Sequence, residues 1–267
     1  MSVEAVADNP KLLVTLVDGI KRITFNRPER RNPVDHETMT LFRDAVMLSA
    51  TDGTRAIVLT GAGDAFCSGA DLTAVSASGI SNRDVTESLR EVANPTILAM
   101  RALPVPIIAR VHGPAAGIGC NYALASDVII ASDKAVFVQA FVKIGLMPDG
   151  GGTFFLPRLV GYHKAFELMA MGDVLTAEDA YAMGVVNRVV PVAELDGVVN
   201  EFAERMTQAA PIALGKIKAA LSRSETSDLA GALDYEAINQ GDCFRSADFA
   251  EGVTAFLQKR KPAFTGK

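Results

Sequence analysis

Apolar and polar residues alternate near the start of the chain on both sides of a turn signal. The segment KLLVTLVDGIKRITFN places apolar residues before and after Asp18-Gly19, a dipeptide that tolerates the positive φ angles of a tight hairpin turn. We therefore expect two antiparallel strands, at about 11–17 and 20–26. Asp35 then precedes apolar residues at helical spacing, which predicts an N-capped helix with one buried face. The apolar positions of that helix are Met39, Phe42, Ala45 and Val46.

Three further apolar runs are short and continuous. They are RAIVLTG (55–61), VPIIARVHG (105–113) and SDVIIAS (126–132), and their Val and Ile content is typical of strands that are covered on both faces. Because helical segments lie between them, residues 1–190 are predicted to form one α/β layered domain with partly parallel sheets. Residues 191–267 are predicted to be mainly helical, and they could pack on their own core or on a neighbouring subunit. The helical repeat there uses Val198, Phe202, Met206, Ile217, Ala220 and Leu221.

Composition narrows the class of protein. The chain has 267 residues, 49% of them hydrophobic, which is enough for a substantial core and argues against disorder. It carries 26 Lys and Arg against 31 Asp and Glu, so nucleic acid is a poor default partner. The three cysteines are Cys67, Cys120 and Cys243, an odd number without metal or redox spacing, which suits reduced thiols in a cytosol. With no signal peptide and no apolar run of membrane length, a cytoplasmic protein is expected.

The first glycine-rich segment follows a buried-type strand. It reads TGAGDAFCSGADL (60–72), and its glycines at 61, 63 and 69 permit sharp turns and a close approach of backbone to a ligand. An ordinary strand-to-helix loop would look the same. A nucleotide P-loop does not fit, because the Lys-Ser/Thr ending of that motif is missing.

The second glycine-rich segment is VHGPAAGIGCNYALASDVIIAS (111–132). Its CNYALAS portion could begin a helix, whose free N–H groups would favour developing negative charge. A dinucleotide fingerprint is the obvious rival. The G-x-x-x-G-x-G spacing is wrong for that fingerprint, and no acidic ribose partner follows about 20 residues later.

Five motifs in a fixed order resemble the crotonase (enoyl-CoA hydratase/isomerase) superfamily: NRPERRN, AFCSGADL, HGPAAGIGCNYALASD, GLMPDGGGTFFLPRLVG and EGVTAFLQKR. The likeness covers nearly the whole chain. It implies an α/β spiral of ββα units, a helical C-terminal region that supports trimerisation, and trimers that often pair into hexamers. It also implies that coenzyme A enters as part of a thioester substrate, with no permanently bound cofactor.

The resemblance implies residue roles as well. The N–H groups of Ala70 and Ile118 would hold the thioester oxygen. Such an oxyanion hole stabilises the enolate-like charge that forms when a proton next to the thioester is removed. Side chains and backbone groups that would contact the acyl-CoA are those of Arg30, Ser68, Gly69, Asp71, Leu72, Gly117, Asn121, Phe141, Phe256 and Lys259. His36, His112 and His163 show no metal-site or triad arrangement, so no metal is expected.

The carboxylates favour isomerisation over hydration. Hydratases of the superfamily use two glutamates, whereas the aligned positions here are Asn121 and Phe141, neither of which exchanges a proton at neutral pH. Asp149, in GLMPDGGGT, lies where several isomerases and the dehalogenase branch carry an acid. One base suffices to move a proton from C2 to C4 of a 3-enoyl thioester. Burial near Phe141 and Met147 would raise the pKa of Asp149.

Alternatives remain open at this stage. Pro-Asp-Gly is a common turn sequence, so Asp149 could simply form a turn, and Asn121 could be a hydrogen bonder at a helix start. Residues 137–161 most resemble isomerases of ring-derived acyl-CoA esters in phenylacetate degradation. Other readings are an enoyl-CoA hydratase with one unusual acid, a dehalogenase in which the acid attacks an aryl carbon, and a non-catalytic acyl-CoA-binding or RNA-binding member.

Overall fold

The computed structural model describes residues 4–73 and 85–267 of the chain. Its main sheet has seven strands in the order β1-β2-β3-β4-β5-β7-β10. Strands β1 to β3 pair antiparallel, and β3, β4, β5, β7 and β10 pair in parallel. The strands are β1 (Glu4–Asn9), β2 (Leu12–Val17), β3 (Ile20–Phe25), β4 (Ala56–Gly61), β5 (Ile107–Val111), β7 (Val128–Ser132) and β10 (Arg188–Val190).

The N-terminal hairpin and first helix follow their local signals. Asp18 and Gly19 have φ values of 49° and 77°, and the turn they form joins β2 to β3 in register. Helix α1 (His36–Leu48) begins after Asp35, whose side chain accepts a hydrogen bond from the Thr38 amide at 2.9 Å. The predicted hairpin and N-cap are therefore confirmed.

The parallel part of the sheet is covered on both faces. Every residue of β4 is buried, as its continuous apolar run predicts. On one face, Val58, Ile108 and Ile130 pack against α8 (Val192–Gln208). The other face belongs to a larger core. It includes an aromatic cluster of Phe25, Phe42, Phe66 and Tyr122.

A small second sheet positions the candidate site. Its strands are β6 (Pro114–Ala116), β8 (Val136–Val138) and β9 (Val174–Thr176), in the order β6-β8-β9. Strand β6 pairs in parallel with β8, and β8 pairs antiparallel with β9. Each has only three residues, too few for an alternation pattern to reveal them in the sequence.

The helices not yet given are α2 (Val85–Ser88), α3 (Asn94–Ala102), α4 (Ile118–Leu124), α5 (Gly152–Val160), α6 (Tyr162–Met171), α7 (Ala177–Ala182), α9 (Pro211–Ser224), α10 (Leu229–Phe244) and α11 (Ala247–Leu257). A π turn (Leu89–Ala93) joins α2 to α3, and 3-10 turns span Pro28–Arg30 and Ala140–Ile144. Within the described ranges, every helix is too short or too polar to span a bilayer.

Candidate active site

The two glycine-rich segments run side by side. Cys67 forms a parallel bridge with Ala115, and the Ala116 amide donates to the Cys67 carbonyl at 2.9 Å. The same offset of 48 residues brings Gly69 next to Gly117, and one more step along it would set Ala70 beside Ile118. Two segments that are 48 residues apart in the sequence thus meet just beyond the carboxyl ends of β4 and β5.

Glycine is required where the segments meet. Gly69 has φ +100°, and a Cβ added to it would lie 3.0 Å from the Ala116 carbonyl oxygen. Gly117 has φ +54°, and its added Cβ would lie 3.8 Å from the Gly69 Cα. Both conformations are strained for other residues, and a Cβ on Gly69 would in addition crowd the Ala116 carbonyl, whereas one on Gly117 would make only ordinary contact. The glycines therefore permit the close approach on which a shared binding position depends.

The amides that follow these glycines suit a shared acceptor. Ile118 is the first residue of α4, so its N–H has no intrahelical partner. Among the described residues, neither the Ile118 nor the Ala70 amide donates to another protein group. Neighbouring parallel backbones lie about 4.7–4.9 Å apart, a spacing at which two N–H groups can each reach one oxygen at about 2.7–3.1 Å. An oxyanion hole formed by these two amides stays a prediction.

Asp149 lies in a tight loop that starts α5. Gly150 and Gly151 both have positive φ, at 55° and 82°, and the Gly152 amide donates to the Asp149 carbonyl at 3.1 Å. An added Cβ on Gly150 would lie 2.9 Å from Cγ1 of Ile118, so the loop rests on the first turn of α4. The triple glycine therefore allows the backbone that carries Asp149 to pack against the first turn of α4.

The Asp149 carboxyl group is poorly solvated. Its Oδ1 atom is buried and has no hydrogen-bond partner among the described residues. Burial raises the pKa of Asp149 from 3.8 to about 6. The direction agrees with the sequence-based expectation, but Met147 does not cause it, because that side chain is 72% exposed. A carboxyl group with this pKa can exchange protons near neutrality.

Asn121 and Phe141 are the residues that the family resemblance aligns with the two glutamates of hydratases. Asn121 is fully buried, and its Nδ2 donates to the Asp149 carbonyl oxygen at 2.7 Å. Its Oδ1 accepts from Gln139 Nε2, also at 2.7 Å. Both ends of the Asn121 amide are therefore used inside the protein. Phe141 is 7% exposed, and its ring tip lies 3.8 Å from an added Cβ on Gly117, which makes it an apolar wall beside that glycine.

Two side chains near Asp149 were not identified from the sequence. Gln139 comes directly after β8, and only the β6–β8 register brings it to Asn121. Tyr122 is fully buried on α4, and burial together with the charges of Cys67 and Asp149 raises the pKa of its phenol well above the usual range. A polar residue inside the apolar run VFVQAF was the one available signal for Gln139.

Arg30 and Asp71 pair with each other. Two guanidinium nitrogens of Arg30 donate to the Asp71 carboxylate at 3.1 Å each, and Arg27 adds a contact at 2.8 Å. Asp71 is 4% exposed, so its carboxylate fixes the loop after β3 against the loop after β4. The Arg30 side chain stays 39% exposed beside this pair. A role for Arg30 toward phosphate oxygens remains a prediction.

The remaining predicted contacts divide between two regions. Ser68 is half-buried and Leu72 is exposed in the loop that carries Ala70. Phe256 lies in the last turn of α11 and is 83% exposed, whereas Lys259 lies two residues beyond the end of that helix. Phe256 lines a cavity of about 940 Å³ whose walls all come from residues 210–264. Within one chain, this cavity shares no lining residue with the site around Asp149.

Comparison with known proteins agrees with this geometry. The Enoyl-CoA hydratase/isomerase family model matches residues 16–267. A Rhodobacter capsulatus protein named "Probable enoyl-CoA hydratase" is 41% identical over 94% of this chain and 96% of its own. The 1,2-epoxyphenylacetyl-CoA isomerase of Escherichia coli is 40% identical over 93% of this chain and 96% of its own.

A solved structure shows the same fold. The crystal structure of an enoyl-CoA hydratase from Mycobacterium smegmatis superposes with a TM-score of 0.89 at 32% identity, covering 95% of this chain and 98% of that one. The α/β crotonase fold predicted from the sequence is confirmed. Fold and site together define an enzyme that processes acyl-CoA thioesters. The chain belongs to the enoyl-CoA hydratase/isomerase family.

Proposed function

We propose that this protein is an enoyl-CoA isomerase that uses Asp149 as its acid and base. The observation that carries the proposal is the Asp149 carboxyl group: its Oδ1 is buried without a partner among the described residues, and its pKa is raised to about 6 by burial. Asn121 and Phe141 stand where a second carboxylate would be needed for hydration. One group that titrates near neutrality fits a reaction in which one proton leaves and one returns.

The proposed reaction has two proton transfers. The Asp149 carboxylate removes a proton from C2 of a 3-enoyl thioester, and the thioester oxygen becomes the oxyanion of a dienolate. The N–H groups of Ala70 and Ile118 hold that oxygen, and such a donor contributes about 3–4 kcal/mol to the transition state. The protonated Asp149 then returns a proton at C4, which gives the conjugated 2-enoyl thioester and restores the carboxylate.

The substrate is proposed to be a ring-derived acyl-CoA. Support comes from the 40% identity to the 1,2-epoxyphenylacetyl-CoA isomerase, which exceeds the 36% identity to the crotonyl-CoA hydratase of Syntrophomonas wolfei but not the 41% identity to the relative named probable enoyl-CoA hydratase. The apolar wall at Phe141 suits a bulky acyl group. This assignment is tested by comparing the conversion of ring-containing and straight-chain acyl-CoA esters, with mass spectrometry as the readout.

The proposal is tested with Asp149→Asn, which keeps the size of the side chain and removes the base. Isomerisation, monitored through the absorbance of the conjugated thioester, should be abolished. The loss should appear in kcat, with acyl-CoA binding little changed. Asn121→Ala should be milder. The wild type should incorporate little solvent oxygen into a 2-enoyl-CoA. Efficient crotonyl-CoA hydration that survives Asp149→Asn would instead support the second candidate, a hydratase, whose name several relatives carry.

The C-terminal helices are proposed to join subunits into a closed trimer, or a hexamer of two trimers. In a single chain, α9 to α11 leave several apolar side chains exposed, including Leu229 at 75% and Phe256 at 83%. Closed cyclic symmetry would reuse one such surface around a ring. Sedimentation that finds a monomer at micromolar concentration would contradict this arrangement.

A further inference from the structure

Two buried side-chain amides form a chain that ends on the backbone of Asp149. Gln139 Nε2 donates to Asn121 Oδ1 at 2.7 Å, and Asn121 Nδ2 donates to the Asp149 carbonyl oxygen at 2.7 Å. Gln139 is 3% exposed and Asn121 is fully buried. The first hydrogen bond is therefore buried and the second is partly buried, and water does not readily replace a lost partner at a buried position.

The direction of this chain is fixed by its last acceptor. A carbonyl oxygen can only accept, so the Asn121 amide must turn its NH2 group toward Asp149 and its oxygen toward Gln139. Gln139 must then present its own NH2 group to Asn121. The Oε1 atom of Gln139 is left buried, with no partner among residues 4–73 and 85–267. Gln139 therefore holds the Asn121 oxygen, and with it the whole amide, in the orientation that the Asp149 carbonyl requires.

Gly150 and Gly152 leave the space that the Asn121 side chain fills. An added Cβ on Gly152 would lie 2.7 Å from Asn121 Nδ2, and one on Gly150 would lie 3.5 Å from Asn121 Cβ. The Asn121 side chain thus fits between backbone segments just after Asp149. It bonds to the carbonyl of Asp149 and makes no hydrogen bond to the carboxyl group, whose Oδ1 has no described partner.

We propose that Gln139 is a positioning residue that, through Asn121, fixes the backbone of Asp149 and keeps the Asn121 amide from donating to the Asp149 carboxyl group. The inference rests on the proposed function of Asp149 as acid and base. The Asp149 carboxylate already accepts a hydrogen bond from its own backbone amide, which lowers its pKa, and a further donor from Asn121 would weaken it as a base, because a donor stabilises the charged form. Gln139 thereby maintains the basicity on which proton removal depends.

Other titratable groups on the elements packed around the Asp149 loop do not supply this effect. Cys120 and Tyr122 on α4 are buried, and burial raises the pKa of each far above that of Asp149, so both stay neutral while it titrates. Lys143 of the preceding 3-10 turn is exposed. Arg158 of α5 donates at 2.8 Å to a backbone carbonyl of its own helix. The acid limb of the activity profile should therefore report on Asp149.

Gln139→Leu tests the proposal, because leucine has a similar size and no donor. We expect kcat to fall about tenfold or more, with KM changed less than about twofold, since the reacting group is misplaced while the binding surface remains. The acid limb of the pH profile should move to lower pH as the released Asn121 amide reaches the carboxylate. Gln208→Leu, at an exposed position at the end of α8, is the control for the substitution itself.

Gln139→Glu is the conservative variant, and it also covers the case in which Gln139→Leu does not fold. Its carboxyl group, while protonated, can donate to Asn121 Oδ1 as the amide does. Activity near the wild-type level at low pH should therefore be lost as the introduced group ionises, which adds an alkaline limb that the wild type lacks. An unchanged profile in Gln139→Glu would overturn the inference.

Asp149→Asn separates the two proposals. If isomerisation survives Asp149→Asn, the proposed function fails whatever the Gln139 variants do. If Asp149→Asn is inactive but Gln139→Leu folds and keeps the wild-type kcat and acid limb, the positioning role fails alone. A titration of the ¹³C-labelled Asp149 carboxyl group in the free protein gives a readout without turnover: its pKa should fall in Gln139→Leu, and an unchanged pKa would contradict the inference.

Discussion

Replacing Asp149 should stabilise the protein near neutral pH. Burial raises the pKa of this carboxyl from 3.8 to about 6, so the folded state disfavours the ionised form. Because a tenfold change in proton affinity corresponds to about 1.36 kcal/mol, the ionised group costs about 3 kcal/mol of folding free energy. Asp149→Asn removes the charge and should recover up to this amount, less any cost of burying its amide group.

The sign and the pH window follow from proton linkage. A raised carboxyl pKa means that the folded state binds the proton more tightly than the unfolded chain does. The cost is therefore absent below pH 3.8, grows between 3.8 and about 6, and is complete above about 6. The unfolding free energy of Asp149→Asn should exceed that of the wild type by about 3 kcal/mol at about pH 7.5 and by about 1 kcal/mol at about pH 4.5. The cost of burying the new amide group lowers both values by the same amount.

Urea unfolding of both proteins at the two pH values, at one protein concentration, measures this difference. The change in the difference with pH is the informative quantity, because the amide cost cancels from it. A difference of about 2 kcal/mol between the two pH values supports the account. A difference that does not vary with pH would refute it, since the carboxyl would then titrate alike in the folded and unfolded states.

Two further substitutions test the fold around the site. Burial raises the pKa of Asp35, but hydrogen bonds from Lys11 and Thr38 outweigh burial and hold that pKa at about 2. Asp35→Asn should therefore destabilise the protein at neutral pH. The loss of unfolding free energy, measured in urea, should shrink as the pH falls from 3.8 toward 2. In Gly119→Ala the new Cβ would lie 2.5 Å from the Cys67 carbonyl oxygen. This variant should therefore lose about 1–3 kcal/mol of unfolding free energy, and its kcat should fall because α4 moves. Gly197→Ala, in the interior of α8 with no atom within 4 Å of the new Cβ, is the matched control and should gain about 0.5–1 kcal/mol in thermal unfolding. Equal effects of the two glycine substitutions would contradict the packing argument.

Elements with strong local signals were predictable from the sequence. The Asp18-Gly19 turn, the Asp35 cap and the buried runs of β4, β5 and β7 each depend on residues close together in the chain. The α/β fold followed from their order and from the family motifs. The bridge between Cys67 and Ala115 brings the two glycine-rich segments together, and the oxyanion-hole role of Ala70 and Ile118 stays a prediction.

Features that depend on distant pairings were not predictable. Gln139 meets Asn121 because β8 pairs with β6, and strands of three residues leave too little pattern to predict their register. Lys21 shows the same limit: it is fully buried in β3, where it forms an ion pair with Asp52. A polar residue at a strand position gives no sign of a partner 31 residues away. Tertiary contacts determine the burial and the partners of such residues.

The central claim is that Asp149 removes a proton next to the thioester, and hydrogen exchange at C2 measures that step alone. A saturated acyl-CoA in D2O cannot isomerise, but its C2 protons can be removed and replaced if a base and an oxyanion hole are both present. The account predicts that the wild type incorporates deuterium at C2, whereas Asp149→Asn binds the same ligand and incorporates none. Exchange by Asp149→Asn at the wild-type rate would contradict the account and assign the base to another residue.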